Sequence, residues 1–308
     1  MTTPADADRV LTLDDLADWK RLTPSLAVIG HPIAHSRSPI MHNAALARLG
    51  ETMPQFREWS YCKFDIPPER LAEALPLFYK HNFVGLNLTL PHKVDAVALV
   101  RGMSSQGRAA GAVNTLLRQD DGYYGHNTDG SGFARACEVR LGVKLRGANV
   151  VLLGAGGSAR AVAAAALEAG CKSLWIGNRD PHRLSGLLAQ LAPLAKGVCE
   201  PRHFALGAPP SDLPAKSLIV NCTSLGLKPG DPSPFPSIAL MPGMSVYDIV
   251  YGAHTSALVR DARAAGLPAA DGLSMLCWQG ALALELWTRT RVPVDAMWTA
   301  IGGAGAIE

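Results

Sequence analysis

Charge is scarce in this chain. Of its 308 residues 18% are charged, with 29 Lys and Arg against 26 Asp and Glu, for a formal net charge of +3. So small an excess excludes a dedicated nucleic-acid or anionic-membrane surface, although a local cluster can still hold a small anion. Long apolar runs are missing too, and none approaches the length needed to span a bilayer. The opening residues MTTPADADRV lack the basic start and apolar core of a secretory signal. Cys62, Cys137, Cys171, Cys199, Cys222 and Cys277 are scattered singly, without a Cys-x-x-Cys pair. That spacing excludes a zinc site and a disulfide framework, and no metal is called for. Their apolar neighbours predict buried thiols and a cytoplasmic location. No internal repeat is present. What the chain does have is a 48% apolar fraction over a length suited to two domains.

Residues 1–24 read as a polar extension with a short helix around Leu13–Trp19. The run Leu26–Gly30 is the first clear strand. It leads to a helix whose start near Ser38-Pro39 combines an N-capping serine with proline at the first helical position. A strand over Trp59–Ile66 follows, then a helix with apolar Leu71, Leu75 and Phe78. Phe83–Leu88 is a third strand, with a helix near Pro91–Val100. Asp120-Asp121-Gly122 turns Ala112–Arg118 back onto Tyr123–His126 as a hairpin. This alternation predicts a parallel sheet wrapped by helices. A second unit begins after Asn127-Thr128-Asp129-Gly130, with a helix at about Ser131–Leu141. Strands at Asn149–Leu153, Ser173–Ile176, Leu218–Asn221 and Ser245–Ile249 follow in the order of a doubly wound nucleotide-binding domain. The apolar helix Leu273–Thr288 is expected to return to the first domain. The fold class is therefore α/β throughout.

The strongest local signal runs from Val150 to Arg160. A strand ends at Gly154 and a helix starts at once, in the pattern Gly-x-Gly-Gly-x-x-Arg. Glycines allow a diphosphate to approach the backbone, and the helix N-terminus offers free N–H groups with positive partial charge. The next strand ends at Asn178-Arg179-Asp180, where a carboxylate that accepts from ribose hydroxyls would mark an NAD site. Asn178 and Arg179 stand there instead, with Arg183 a helical turn later. Two guanidiniums suit a 2′-phosphate, and hence NADP. An ordinary solvated basic patch is the bland alternative. Asp180 complicates the reading, because it could neutralise Arg179 or favour an unphosphorylated ribose.

Polar clusters punctuate the first domain. Ser36 and Ser38 place two hydroxyls near a helix N-terminus, a setting suited to a carboxylate. Asn87 and Thr89 alternate onto one face, and Lys93 follows about a turn later. Asn114 and Asp129 lie in two further polar loops. Taken singly, each has a structural explanation: caps for Ser36, Ser38 and Asp129, a turn for Asn114, an exposed charge for Lys93.

Taken in order they do not. Gly-x-Pro-Ile-x-His-Ser-x-Ser-Pro (30–39), Asn-x-Thr-x-Pro-x-Lys (87–93), Gly-Ala-Val-Asn-Thr (111–115), Asn-Thr-Asp-Gly (127–130), Gly-Ala-Gly-Gly (154–157), Asn-x-Thr-Ser-x-Gly (221–226), Tyr-Asp-Ile-Val-Tyr (247–251) and Asp-Gly-Leu-x-Met-Leu-x-x-Gln (271–279) succeed one another. This series resembles the shikimate dehydrogenase family over about residues 25–300. The resemblance implies an N-terminal α/β substrate domain over 25–128, completed by 273–308. It also implies a Rossmann cofactor domain over 129–272 and a cleft between the two. By motif, Ser36 and Ser38 would hold a substrate carboxylate. Asn87, Thr89, Asn114, Asp129, Tyr251 and Gln279 would meet the rest of the substrate. Lys93 and Asp129 would form the catalytic pair, because reducing a carbonyl requires a proton at its oxygen. Gly154, Ala155, Gly156, Gly157, Ser158, Ala159, Asn178, Arg179, Arg183, Thr223, Ser224, Ile249 and Gly272 would contact NADP, with NAD also possible. The implied reaction is reversible reduction of 3-dehydroshikimate to shikimate, with shikimate preferred over quinate, by a monomer or homodimer acting on a small molecule.

Four departures qualify the resemblance. His126 stands where many members have Asp. Ser274 replaces a glycine usual before the methionine of the last motif, so its side chain must fit or point away. The spacing from Tyr251 to Thr255 is one residue short. Trp278 resembles the quinate/shikimate branch, which leaves an NAD-dependent or dual-cofactor quinate/shikimate dehydrogenase open. A methylenetetrahydrofolate dehydrogenase is disfavoured by the serine pair and by Asn-x-Thr-x-Pro-x-Lys. A silent ligand-binding protein on the same fold is disfavoured by the retention of Lys93 and Asp129.

Overall fold

The structure is a computed structural model and describes residues 9–252 and 254–307. The chain divides into two compact units. One runs up to Thr128 and resumes at Leu276, and the other is Asp129–Met275.

The first unit is built on a seven-stranded sheet. Its strands are β1 (Val10–Leu11), β2 (Ser25–Gly30), β3 (Ser60–Asp65), β4 (Phe83–Leu88), β5 (Gly102–Met103), β6 (Thr115–Gln119) and β7 (Gly122–His126). Their order is β1-β3-β2-β4-β6-β7-β5. The wholly parallel sheet expected from the alternation of elements is not what forms. β1 to β4 are parallel, but β6 runs antiparallel to both β4 and β7. The cause is the hairpin. Gln119 pairs with Gly122 across the two-residue turn Asp120-Asp121, and so tight a turn can only reverse the chain.

Residues 10–17 of the polar extension pack into this fold. β1 pairs with β3, and Thr12 and Asp15 form a reciprocal capping box on the helix Leu13–Ala17. Leu11, Leu13 and Leu16 join Phe64, Phe78 and Phe83 in one apolar cluster. Residues 1–8 of the proposed extension lie outside the described residues.

Two further local expectations are corrected. Ser38 is the first residue of the helix Ser38–Thr52, not its cap, because Arg37 takes the cap position without a side-chain hydrogen bond. Ser36 Oγ instead accepts from the Ser38 N–H at 3.3 Å. Residues 91–100 form a turn and a 3-10 segment, Asp95–Leu99, rather than an α-helix. Proline has no N–H and removes freedom at the start of this stretch, and the His92 N–H closes a turn onto the Thr89 carbonyl.

The second unit carries six parallel strands: β8 (Asn149–Leu153), β9 (Ser173–Asn178), β10 (Arg202–Ala205), β11 (Ser217–Asn221), β12 (Ser245–Asp248) and β13 (Ala269–Ala270). Their order, β10-β9-β8-β11-β12-β13, is the doubly wound arrangement that reverses direction between the first and fourth strands. β10 and β13 escape the sequence because both are short edge strands, and β10 buries only Phe204. Among the described residues no helix is long and apolar enough to cross a membrane.

Candidate active site

Within the first unit, three of the motif residues form one hydrogen-bonded set. Asn87 is the penultimate residue of β4 and is 5% exposed. Its Oδ1 accepts from the Tyr61 hydroxyl at 2.7 Å, while its Nδ2 donates to the Asn114 carbonyl and to Thr115 Oγ1, both at 3.1 Å. Asn114 Oδ1 accepts from the Thr128 N–H at 2.8 Å and from Thr115 Oγ1 at 3.0 Å. Its Nδ2 donates to Thr128 Oγ1 at 2.9 Å and to Gln279 Oε1 at 3.2 Å. Gln279 Nε2 in turn donates to the Leu276 carbonyl at 2.8 Å. Each amide has one partner that can only donate or only accept, so none can flip without losing a bond. Both Asn87 N–H bonds are used, which leaves that side chain able only to accept from a ligand.

The remaining residues of this unit lie in loops at strand and helix ends. Ser36 and Ser38 are both buried, at the start of the helix Ser38–Thr52. Thr89 follows β4 directly, and its N–H donates to the Ile29 carbonyl at 2.9 Å. Only glycine fits opposite, because a Cβ on Gly30 would fall 2.5 Å from the Thr89 methyl. Lys93 is half-buried in the turn after Pro91. Its carbonyl accepts from the Val113 N–H at 2.8 Å, and the neighbouring His92 ring bonds the Ile66 carbonyl at 2.9 Å. Both ends of the turn are therefore pinned. His126, the first departure, sits on β7 with its pKa lowered by burial.

The second unit begins with Asp129, which is 3% exposed and opens the helix Asp129–Leu141. A carboxylate there is favoured by the helix dipole. The glycine-rich loop joins β8 to the helix Gly157–Glu168. Gly154 adopts φ +111°, and a Cβ on it would lie 2.9 Å from the Cys222 carbonyl. This close approach belongs to the point where the strand order reverses, the usual place for a nucleotide in such sheets. Gly156 takes the cap position without any side chain and faces open space. The N–H groups of Gly157, Ser158 and Ala159 follow in the first turn, while Ala155 and Ala159 are buried.

The Asp180 ambiguity resolves in the geometry. Its carboxylate accepts from the His182 N–H at 2.9 Å and the Arg183 N–H at 3.1 Å, capping the helix Pro181–Ala195, and these bonds lower its pKa. Arg183 Nε lies 3.5 Å from the same carboxylate. Arg179 is exposed and has no ion-pair partner among the described residues. One N–H of the Asn178 amide donates to the Asp180 carbonyl at 2.7 Å, which leaves its second N–H and its oxygen for a ligand.

Thr223 donates from Oγ1 to Asn221 Oδ1 at 2.7 Å, and exposed Ser224 follows it. Asn221 Nδ2 donates to Asp248 Oδ1 at 2.9 Å, and Ser256 Oγ donates to Asp248 Oδ2 at 2.6 Å. Burial pushes the Asp248 carboxyl up to about 6. Gly272 is obligatory beside Ile249, whose carbonyl would stand 2.0 Å from a Cβ. Ser274 turns inward: it is 2% exposed and lies 2.8 Å from the Tyr247 hydroxyl, which also accepts from the Met275 N–H. Tyr251 is half-buried at the end of its motif, and the shortened spacing after it includes Ala253, outside the described residues.

Several residues of these networks, Tyr247 among them, were not singled out from the sequence. Thr115, Thr128, Asn221 and Asp248 stand inside quoted motifs, where their positions were visible without their partners. Tyr61 and Ser256 carry no motif, and only the fold reveals them. The expectation of buried thiols holds for Cys62, Cys137, Cys171 and Cys277, while Cys199 and Cys222 are partly exposed.

Comparison with known proteins adds an independent line. Residues 28–116 match the shikimate dehydrogenase substrate binding domain, and residues 272–301 match the shikimate 5′-dehydrogenase C-terminal domain. A relative from Rubrobacter xylanophilus, named shikimate dehydrogenase (NADP(+)), is 42% identical over 92% of this chain and 97% of its own length. Among solved structures, shikimate 5-dehydrogenase from Thermus thermophilus, in complex with NADP(H) and shikimate, superposes with a TM-score of 0.76. It is 38% identical, covering 90% of this chain and 98% of that one. Shikimate 5-dehydrogenase from Listeria monocytogenes, in complex with shikimate and NAD, gives a TM-score of 0.78 at 30% identity, covering 91% and 96%.

Proposed function

Because the chain belongs to the shikimate dehydrogenase family, we propose that it catalyses the reversible reduction of 3-dehydroshikimate to shikimate with NADPH. One observation carries this reading. Asn87, Asn114 and Gln279 are locked into a single donor–acceptor pattern within the unit that also holds the serine pair and Lys93. A small ring with several hydroxyls and a carboxylate needs such pre-set partners, since a polar site rejects ligands that leave its groups unpaired.

In the reaction Lys93 delivers a proton to the carbonyl oxygen as it becomes a hydroxyl, and takes it back in the reverse direction. Asp129 accepts from the substrate hydroxyl and orients it for the transfer. Ser36 and Ser38 donate to the carboxylate, Asn87 accepts from a ring hydroxyl, and Thr89, Asn114, Gln279 and Tyr251 complete the fit. The residues of the second unit suit a dinucleotide. The Gly154 turn leaves no room for a Cβ, and the open helix start at Gly156 exposes N–H groups to a diphosphate. Gly154 to Ala159 would hold that diphosphate, Asn178, Arg179 and Arg183 the phosphorylated ribose, and Thr223, Ser224, Ile249 and Gly272 the nicotinamide half. When bound, NADPH supplies the hydride. Six free thiols support activity in the reducing cytoplasm, by a monomer or homodimer.

The test is the absorbance of the reduced nicotinamide with purified protein, offering shikimate or quinate with NADP or NAD. Shikimate with NADP is expected to give the highest kcat/KM. Equal or better turnover of quinate, or a preference for NAD, overturns the assigned selectivity, and no turnover of any pair overturns the activity.

A further inference from the structure

Lys63 is the one lysine of β3, and it is 4% exposed. Side chains alternate along a strand. Cys62 and Phe64 point into the apolar cluster, so Lys63 points to the opposite face with Tyr61. The register sets Lys63 beside Val28 and Val28 beside Asn87. Lys63 therefore shares a face with Asn87, two strands or about 10 Å away. An ammonium carries three donors. That of Lys63 donates to the Ala34 carbonyl at 3.2 Å, and among the described residues no carboxylate lies within ion-pair distance of it. A buried cation without a counter-charge is unfavourable, and one neutral carbonyl does not offset it.

The position of that carbonyl suggests what does. Ala34 lies two residues before Ser36, in the loop between β2 and the helix Ser38–Thr52. In the proposed function this loop receives the substrate carboxylate on two hydroxyls. Hydroxyls satisfy hydrogen bonds but neutralise no charge, so the serine pair alone would discriminate poorly between a carboxylate and a neutral group of the same shape. A low-exposure ammonium tethered to the same loop removes that weakness, because its field is little screened by water.

We propose that Lys63 is a specificity-determining residue, supplying the counter-charge for the substrate carboxylate held at Ser36 and Ser38. The proposal rests on the functional reading given above. It separates two roles that the hydrogen bond to Ala34 would otherwise confuse: holding the loop, and providing charge. Lys63→Gln keeps a donor for Ala34 and removes the charge. Lys63→Arg keeps the charge.

Steady-state kinetics with shikimate and with its uncharged methyl ester tests this, with thermal melts to establish folding. Loss of a charge-assisted contact is expected to raise KM for shikimate in Lys63→Gln by roughly 10- to 100-fold, with kcat little changed. The ester should show the same KM in wild type and variant, and Lys63→Arg should retain most of the preference for the acid. A Gln variant with wild-type KM, or one in which KM rises equally for acid and ester, overturns the proposal. Should Lys63→Gln not fold, the Arg variant decides: loss of its acid-over-ester preference overturns the proposal, and retention supports it. A wild type that fails to oxidise shikimate overturns the functional reading itself, whereas an active wild type with an indifferent Gln variant overturns only the role of Lys63.

Discussion

Asn87 in the first unit is 5% exposed, with both of its N–H bonds given to protein partners, whereas Arg179 in the second stands exposed without an ion-pair partner among the described residues. The contrast extends to the rest of each unit. The first presents side chains whose orientation is set by other buried side chains. The second presents backbone, through Gly154, Gly156 and Gly272, together with charges at the surface. Pre-set side chains discriminate among small ligands of nearly equal shape, because a wrong group leaves a buried partner unpaired. Backbone N–H groups and exposed cations hold phosphates, whose geometry is common to many ligands.

Three measurements would break or sharpen that contrast. The largest expected effect is at Lys93, the acid/base group assigned to the rigid side. Lys93→Ala should lower kcat by about 10²–10⁴-fold with little change in KM. If steady-state kinetics found half the wild-type kcat, Lys93 would be a surface charge after all.

The two units should also respond oppositely to acid. His42 is fully buried against Tyr61, with ring centroids 4.1 Å apart, and burial holds its pKa down at about 3. An imidazole kept neutral in the folded state stabilises fully above its ordinary value of 6.5, and that contribution is lost as pH falls from there toward 3. Asp248 has the reverse sign. Its folded value, about 6, exceeds the ordinary 3.8, so its contribution is full below 3.8 and is lost as pH rises through 6. Each slope approaches roughly 1.4 kcal/mol per pH unit inside its window. Hydrogen exchange between pH 6 and 4.5 should therefore show protection falling in the first unit and rising in the second. His42→Phe should flatten the first slope and Asp248→Asn the second. Parallel slopes in the two units would contradict the assignment.

The smallest effect concerns the two arginines. Asp180 already engages Arg183 at 3.5 Å, so Arg179 should carry more of the preference for a 2′-phosphate. Arg179→Ala is expected to weaken NADP by about 1–2 kcal/mol, less at high salt, and to leave NAD unaffected. Arg183→Ala should do less. Cofactor KM values for both variants decide it, and an unchanged NADP/NAD ratio in Arg179→Ala removes that residue from the phosphate site.

Much of this organisation is legible in the residues themselves. The turn at Gly154 declares itself because a strand, a glycine requirement and a helix start occupy adjacent positions, and the helix Leu273–Thr288 because its apolar character is continuous. The same local logic fails where a neighbour from far along the chain decides the outcome. The stretch 91–100 looks helical by pattern, yet the Lys93 carbonyl is taken by the Val113 N–H and the His92 ring by the Ile66 carbonyl. β13 has two residues and forms only because Val246 and Tyr247 of β12 are there to pair with them. Ser274 could not be placed from sequence, since it lies in the helix Leu273–Thr288 and its partner Tyr247 on β12.

By itself, then, the sequence determined the α/β class, the four central strands of the nucleotide domain, and the identity of the motif residues. All of these depend on residue type and on spacing over a few positions, where covalent geometry limits the choices. Only the tertiary structure decided that Asp180 turns to Arg183 rather than Arg179, that three amides lock one another through Thr115 and Thr128, and that Lys63 is buried beside the serine loop. It also brought Cys171 and Cys199, widely separated in the chain, to 3.7 Å between sulfurs. Each of these is a choice among partners brought together by strand order and register, and those are set by how the whole apolar core packs rather than by any local run of residues.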